Sequence, residues 1–159
     1  MKVKNHVWYQ PYKLVSYATH QENGVLTTFS KAKIDASLIG KKQVLKEQLE
    51  RVQSSNRVSS EARELHLLVN KVNIGDYIIL PLDERCLSFL VGEISGDYQY
   101  NPEAESPHIR KLNLITPAVK KDGVHFELYK EICLCLGCEF LQRVNISGAD
   151  ILRASRNTS

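Results

Sequence analysis

No stretch of this sequence is both long and apolar enough to span a bilayer, and the opening MKVKNHVWYQ carries positive charge without the apolar centre of a secretory signal. A cytoplasmic protein without membrane contact is therefore expected. P-loop, nucleophile-elbow and HExxH motifs are missing, and His20, His66, His108 and His125 lack partners at motif spacing. The scattered carboxylates form no obvious pair for a metal-dependent nuclease. These gaps argue against an enzyme and against a bound cofactor. The net charge of +3 is too small to identify a polyanion binder by itself. Repeats and low-complexity tracts are missing as well.

Cysteine is scarce, with four residues, and three of them form the run Cys133, Cys135, Cys138. A structural zinc site needs four nitrogen or sulfur ligands, commonly as two paired spacings, and Cys86 stands alone. Ile132, Leu134, Leu136 and Phe140 surround the run with apolar neighbours. Buried reduced thiols in a packed element explain it better than a metal.

What is present is a chain of 159 residues, 43% hydrophobic and 25% charged, which suits one globular domain with a sizeable core. Its core is expected over about residues 5–145; Ala149, Ile151, Leu152 and Ala154 could form a final helical turn, but Arg153, Arg156 and the polar end suggest that 146–159 is a linker or boundary. Charge is unevenly distributed. Residues 71–105 hold two basic and seven acidic side chains, whereas 106–121 hold Arg110, Lys111, Lys120 and Lys121 and no acid.

Val7, Trp8, Tyr9 and Leu14 give strand composition broken by Pro11, and Val25 to Phe29 gives a second β-rich run after the turn Gln21-Glu22-Asn23-Gly24. The two are expected to pair as a hairpin. Leu38, Val44 or Leu45, Leu49 and Val52 recur at helical spacing, and Leu65, Leu68 and Val69 mark a second helix that Ser59 or Ser60 would cap, with Glu61 and Glu64 in its first turn. Tyr77 to Leu82 and Leu87 to Ile94, separated by Asp83-Glu84-Arg85, predict a β-hairpin. Ile109 to Ile115 predicts a strand stopped by Pro117, and Gly123 to Tyr129 another. Glu131 to Val144 is ambiguous. The fold class is α+β: a small bent or barrel-like sheet flanked by two or three helices.

The most informative segment follows the hairpin. Gly96 permits a bend, Tyr98-Gln99-Tyr100 puts both phenol rings on one side of an extended backbone, and Pro102 stops further pairing. Two aromatic faces beside Asp97 suit a flat heterocycle. Asp76 is expected to serve the local turn beside Gly75.

Taken together, the N-terminal tryptophan strand, GDYIILP, VGEISGDYQYNP and HIRKLN resemble the EVE-like branch of the PUA superfamily, which is related to the YTH readers of methylated RNA. The resemblance covers roughly residues 5–115. Relatives usually carry Ile-Gly-Trp where this chain has Thr27-Thr28-Phe29, and tryptophan where it has Leu114. The resemblance implies a DNA-recognition module of a modification-dependent restriction or defence system, which binds a methylated base flipped into an aromatic pocket. Cleavage or NTP hydrolysis would then belong to another segment or subunit. Pocket candidates are Trp8, Phe29, Asp97, Tyr98 and Tyr100, with ordinary core packing the competing account of Trp8 and Phe29. Phosphate candidates are Lys31, Lys33, Lys41, His108, Arg110 and Lys111. The alternatives are an RNA reader of the same superfamily, a protein-interaction domain using the tyrosine loop, and a small metal-dependent nuclease using Asp76, Glu93 and Asp97.

Overall fold

Alternation along one short strand decides the architecture. Val7 and Tyr9 join a buried cluster with Ile79, Phe89, Val91, Leu128, Ile132 and Ile151, while Trp8 between them joins another with Leu26, Leu68, Ile78, Leu80 and Ile94. A strand turns successive side chains to opposite faces, so a strand apolar throughout must be covered on both. The computed structural model describes residues 5–12, 25–28, 30, 32–52, 57–104 and 106–156. Among these, the strands are β1 (Val7–Tyr9), β2 (Val25–Thr27), β3 (Tyr77–Pro81), β4 (Ser88–Ile94), β5 (Gln99–Tyr100), β6 (His108–Lys120) and β7 (Gln142–Val144). The α-helices are α1 (Lys42–Val52), α2 (Val58–Asn70), α3 (Phe126–Cys133) and α4 (Gly148–Arg156).

The strands form one open mixed sheet in the order β2-β6-β4-β3-β1-β7, with β5 added beside β6. The fold is α+β, with α3 and α4 against one face and α2 against the other. A third cluster joins α1 to α2 through Leu45, Leu49, Ala62 and Leu65, and includes Ala32 and Ala36 from the segment before α1. Tyr98 packs against both this cluster and the sheet core.

The β3–β4 hairpin forms where the sequence predicts it. Asp83 organises its turn by accepting the backbone N–H groups of Arg85, Leu87 and Ser88 at 3.0–3.1 Å. Gly75, at φ +93°, lies just before β3 in a conformation that L side chains rarely adopt.

Several expectations are corrected. Val7–Tyr9 does not pair with Val25–Thr27: β1 runs parallel to β3 and antiparallel to β7, and β2 pairs with β6, while Leu14 and the turn Gln21-Glu22-Asn23-Gly24 of the expected hairpin lie outside the described residues. Pro117 does not end its strand. β6 continues to Lys120, with a register shift against β4 between Phe89 and Val91, where Val91 pairs with Ile115 and Phe89 with Val119. Such an irregularity is where a residue without an N–H is tolerated. The strand expected over Gly123 to Tyr129 is instead a 3-10 turn, Lys121–Gly123, followed by α3. His125 caps that helix, its Nδ1 accepting the Glu127 N–H at 3.2 Å. α2 begins at Val58, with no side-chain cap from Ser59 or Ser60, and Glu64 is buried where it accepts the Leu141 N–H at 2.7 Å. The tail expected as a linker contains α4, which inserts Ile151 fully into the core.

No helix among the described residues is long and apolar enough to cross a membrane. Cys86 and Cys135 are buried, Cys133 and Cys138 half-buried. No group of three or more His, Cys, Asp or Glu side chains among the described residues is arranged to hold a metal ion.

Candidate functional site

The β4–β6 connection carries the tyrosines. After Ile94 the chain bends at Gly96, where the backbone comes so close to Lys111 that a Cβ would stand 3.3 Å from the Lys111 Cβ. It then pairs Gln99 and Tyr100 with Ile109 and His108. Both half-buried phenols stack on the His108 imidazole: the Tyr98 centroid lies 5.9 Å away at an interplanar angle of 20°, and the Tyr100 centroid 5.5 Å away at 28°.

A hydrogen-bond chain fixes this stack. The His108 Nε2 lies 2.8 Å from the Ala32 carbonyl oxygen, which can only accept, so Nε2 carries the proton. The Tyr98 hydroxyl then donates to Nδ1 at 2.6 Å and accepts the Ala36 N–H at 3.3 Å. The neutral Nε2–H tautomer satisfies all three bonds together. Burial, the largest cause, pushes the Tyr98 phenol up to about 12, so it keeps the proton that the chain requires. His108 is buried, so it is not the exposed phosphate contact that the sequence suggests.

Arg110 is also buried, at 3% exposure, on the same face of β6 as His108. Its Nε donates to the Gly96 carbonyl at 2.9 Å, and its Nη1 donates to the Leu68 carbonyl at 3.2 Å and to the Val72 carbonyl. Arg110 therefore ties the aromatic loop to the end of α2 through Nε and Nη1, and its burial keeps it from the surface where a phosphate would lie. Burial pulls its pKa down, opposed by the charges of Asp97 and Asp76. Asp97 lies 3.9 Å from Arg110 Nη2 with 91% of its side chain exposed. It faces solvent over the guanidinium and does not line an interior pocket.

Trp8 is 3% exposed and serves as a core anchor, its Nε1 donating to Asp76 Oδ2 at 3.0 Å. Asp76 does more than local turn work. Its Oδ1 accepts the His6 N–H at 3.0 Å and its Oδ2 also accepts the Asn73 N–H at 2.9 Å, joining the start of β1 to the α2–β3 connection. With those oxygens committed and Asp97 turned outward, Asp76, Glu93 and Asp97 do not form a metal-binding group. Phe29 and Lys31 lie outside the described residues. Lys33, Lys41 and Lys111 are exposed, so three of the six phosphate candidates keep that role open.

Two residues that the sequence reading passed over stand out. Gln10 and Thr28 are buried, yet among the described residues Gln10 Oε1 and Thr28 Oγ1 have no hydrogen-bond partner. Gln10 extends the β1–β3 ladder, its N–H donating to the Ile79 carbonyl at 3.0 Å, and its Nε2 donates to the Thr27 carbonyl at 3.2 Å. The Thr27 hydroxyl in turn donates to the His108 carbonyl at 3.0 Å. The signal for Gln10 was its position two residues after Trp8, which places an amide on a core-facing line.

A wide opening of about 1040 Å³ lies elsewhere, lined among others by His6, His125, Glu127, Arg143, Asp150 and Arg153. Its charges are mixed in sign, Arg153 lies 3.8 Å from Asp150, and no Phe, Tyr or Trp lines it. Size alone does not make it the better candidate for a flat ring.

A family model matches residues 16–132, most of the chain, including β2, the tyrosine loop and β6. The chain belongs to the family described as Domain of unknown function (DUF8426). No curated protein and no solved structure matches it. The DUF8426 match takes in Thr28, Tyr98, Tyr100, His108 and Arg110, while β1, β7 and α4 lie outside it.

Proposed function

We propose that this chain is a noncatalytic DNA-recognition module that binds a modified base flipped out of the duplex, as part of a modification-dependent restriction or defence system. The reading is carried by the Tyr98–His108–Tyr100 stack, which holds Tyr100 rigid and half-exposed at the edge of the sheet. The Tyr100 hydroxyl has no hydrogen bond among the described residues, so packing into the fold does not account for its polar end. Extruding a base costs a few kcal/mol, and stacking on one aromatic ring returns about 1–3 kcal/mol. A pre-stacked ring pays little ordering entropy when it receives a base.

Exposed Lys33, Lys41 and Lys111 supply cations for phosphates, which position a duplex without reading its sequence. The resemblance to EVE-like domains of the PUA superfamily supports the same reading, with any nuclease or NTPase carried by another segment or subunit. Trp8 and Asp97 are withdrawn from the pocket.

The test is a fluorescence-anisotropy panel of duplexes bearing no modification, N6-methyladenine, 5-methylcytosine or 5-hydroxymethylcytosine, with matched RNA as competitor. Tighter binding to one modified DNA is expected, and Tyr100→Ala should weaken it roughly 10- to 100-fold, the equivalent of one lost stack. Equal affinity across the panel would reject the reading, and tighter binding of the RNA would transfer it to an RNA reader.

A further inference from the structure

Helices α1 and α2 pack together through Leu45, Leu49, Ala62 and Leu65, and beside that seam their surfaces meet in a cleft of about 350 Å³. Lys42, Gln43 and Lys46 line it from α1, and Ser59, Ser60 and Arg63 from α2. Three of these side chains are cations, three are neutral hydrogen-bond donors, and none is acidic. Acids are not scarce on these helices, which carry Glu47, Glu50, Glu61 and Glu64, yet none of the four lines the cleft.

The cations are available. Lys42 and Arg63 are exposed and have no ion pair among the described residues. Lys46 has Glu50 Oε1 at 3.9 Å, but both side chains are more than a third exposed, so water screens the pair. Like charges gathered without acids repel one another, and the fold gains nothing from that arrangement. The neighbouring His66 feels the same field: burial is the first cause lowering its pKa, and the charges of Lys71 and Lys42 lower it further. The start of α2 adds the positive end of its dipole, and Arg57 provides no side-chain cap there.

The cleft is continuous with the tyrosine site. The Ala36 N–H bonds the Tyr98 hydroxyl, and Lys42 follows Ala36 by six residues, so at most about 22 Å of chain separates them. Exposed Lys33 and Lys41 lie on the same stretch. One turn of duplex rises about 34 Å, so a single DNA segment can reach both places. A donor-only lining suits a phosphodiester, which offers only acceptors and a full negative charge, and the Arg63 fork matches two of its oxygens.

We propose that the α1–α2 cleft is a phosphate-binding subsite and that it grips the backbone of the DNA whose extruded base meets Tyr100. Lys42 and Arg63 are its principal ligands, with Gln43, Ser59 and Ser60 donating to the same phosphates. This rests on the reading of the chain as a modified-base binder, and it names a surface that supplies affinity without reading sequence.

The experiment titrates the full chain by anisotropy with a modified and an unmodified duplex from about 50 to 200 mM salt, alongside melting temperatures. The double variant Lys42→Gln, Arg63→Gln changes two exposed side chains and should melt with the wild type. It should bind both duplexes roughly tenfold more weakly and flatten the salt slope by about two phosphate equivalents. Its preference for the modified duplex should stay within about twofold of wild type, since backbone contacts carry no base information. Glu50→Gln removes the carboxylate that competes for Lys46 and should tighten binding about two- to fivefold. Arg153→Gln removes one charge from α4, on the opposite face of the sheet from α2, and should leave the slope unchanged.

Three results overturn the inference while leaving modified-base reading intact: an unchanged slope in the double variant, a comparable flattening in Arg153→Gln, or a double variant that loses its preference for the modified duplex. Should the double variant melt well below the wild type, Glu50→Gln decides alone, and no gain in affinity overturns the inference. A wild type that binds both duplexes equally, with the slope still flattened by the double variant, rejects modified-base reading and keeps the cleft. A wild type that binds neither duplex removes both.

Discussion

Replacing Arg110 with methionine separates a structural tie from a phosphate contact. The guanidinium donates to the carbonyls of Gly96, Leu68 and Val72, and its nearest carboxylate, Asp97, is almost fully exposed at 3.9 Å. A hydrogen bond to a charged group contributes about 1.5–3 kcal/mol, and the cost of burying the guanidinium offsets part of the total. Methionine fills similar space but leaves three carbonyls without their donor. A net loss of about 3 kcal/mol follows, near the lower end for breaking a buried charged network. For a domain of this size each kcal/mol shifts the melting temperature by about 2–4 °C, so Arg110→Met should melt about 6–12 °C below the wild type by circular dichroism.

Lys111 is the control, since it neighbours Arg110 on β6 but is exposed. Lys111→Ala should leave the melting temperature almost unchanged and reduce the salt slope of DNA binding by about one phosphate equivalent. Arg110→Met should leave that slope alone at temperatures where it is folded. A melting temperature within about 2 °C of wild type, or a salt slope reduced as in Lys111→Ala, would refute the structural role.

Two further outcomes test the packing. Burial raises the pKa of Tyr98 from 10.0 to about 12 and those of Cys86 and Cys135 from 9.0 to about 12. The fold therefore favours their protonated forms, and the stability this contributes is complete below the unfolded values and lost as pH rises through the folded ones. Urea midpoints should hold level up to pH 9 and fall from there to about 12, and level midpoints across that window would count against these buried groups. Ile151→Ala removes the fully buried anchor of α4 and should cost about 3 kcal/mol, seen as a lower urea midpoint; an unchanged midpoint would show that α4 does not hold the core.

The parts of the fold that could be read in the sequence are those governed by local chemistry. The β3–β4 hairpin follows from two apolar runs and a polar turn, and α1 follows from Leu45 and Leu49 at helical spacing. What could not be read depends on partners remote in sequence. The parallel pairing of β1 with β3 crosses the chain from Val7 to Tyr77, and an all-buried strand offers no polar face to announce its neighbours. Val124 to Tyr129 alternates like a strand, but the helix buries Leu128 and Ile132 and leaves Phe126 72% exposed. The site shows the same limit. Tyr98 and Tyr100 were legible as a pair because their spacing is local, whereas His108 and Arg110 look like surface cations in a polar run. Their partners are backbone carbonyls of Ala32, Gly96, Leu68 and Val72, which no residue pattern discloses.

The buried ions account for where the site can be rigid. Asp76 gathers N–H donors from His6, Trp8 and Asn73, and Arg110 supplies donors to carbonyls at Gly96 and the end of α2. The first pins the strand that leads to Gln10; the second pins the loop that leads to Tyr98. Each ion is compensated mainly by backbone groups, whose positions are set by strands and a helix end and not by flexible side chains. Bonds of that kind are costly to lose singly, because a deleted partner leaves a buried charge or several backbone groups unsatisfied. Gln10 and the tyrosine stack, nearly ninety residues apart in sequence, are thereby held in one hydrogen-bonded network.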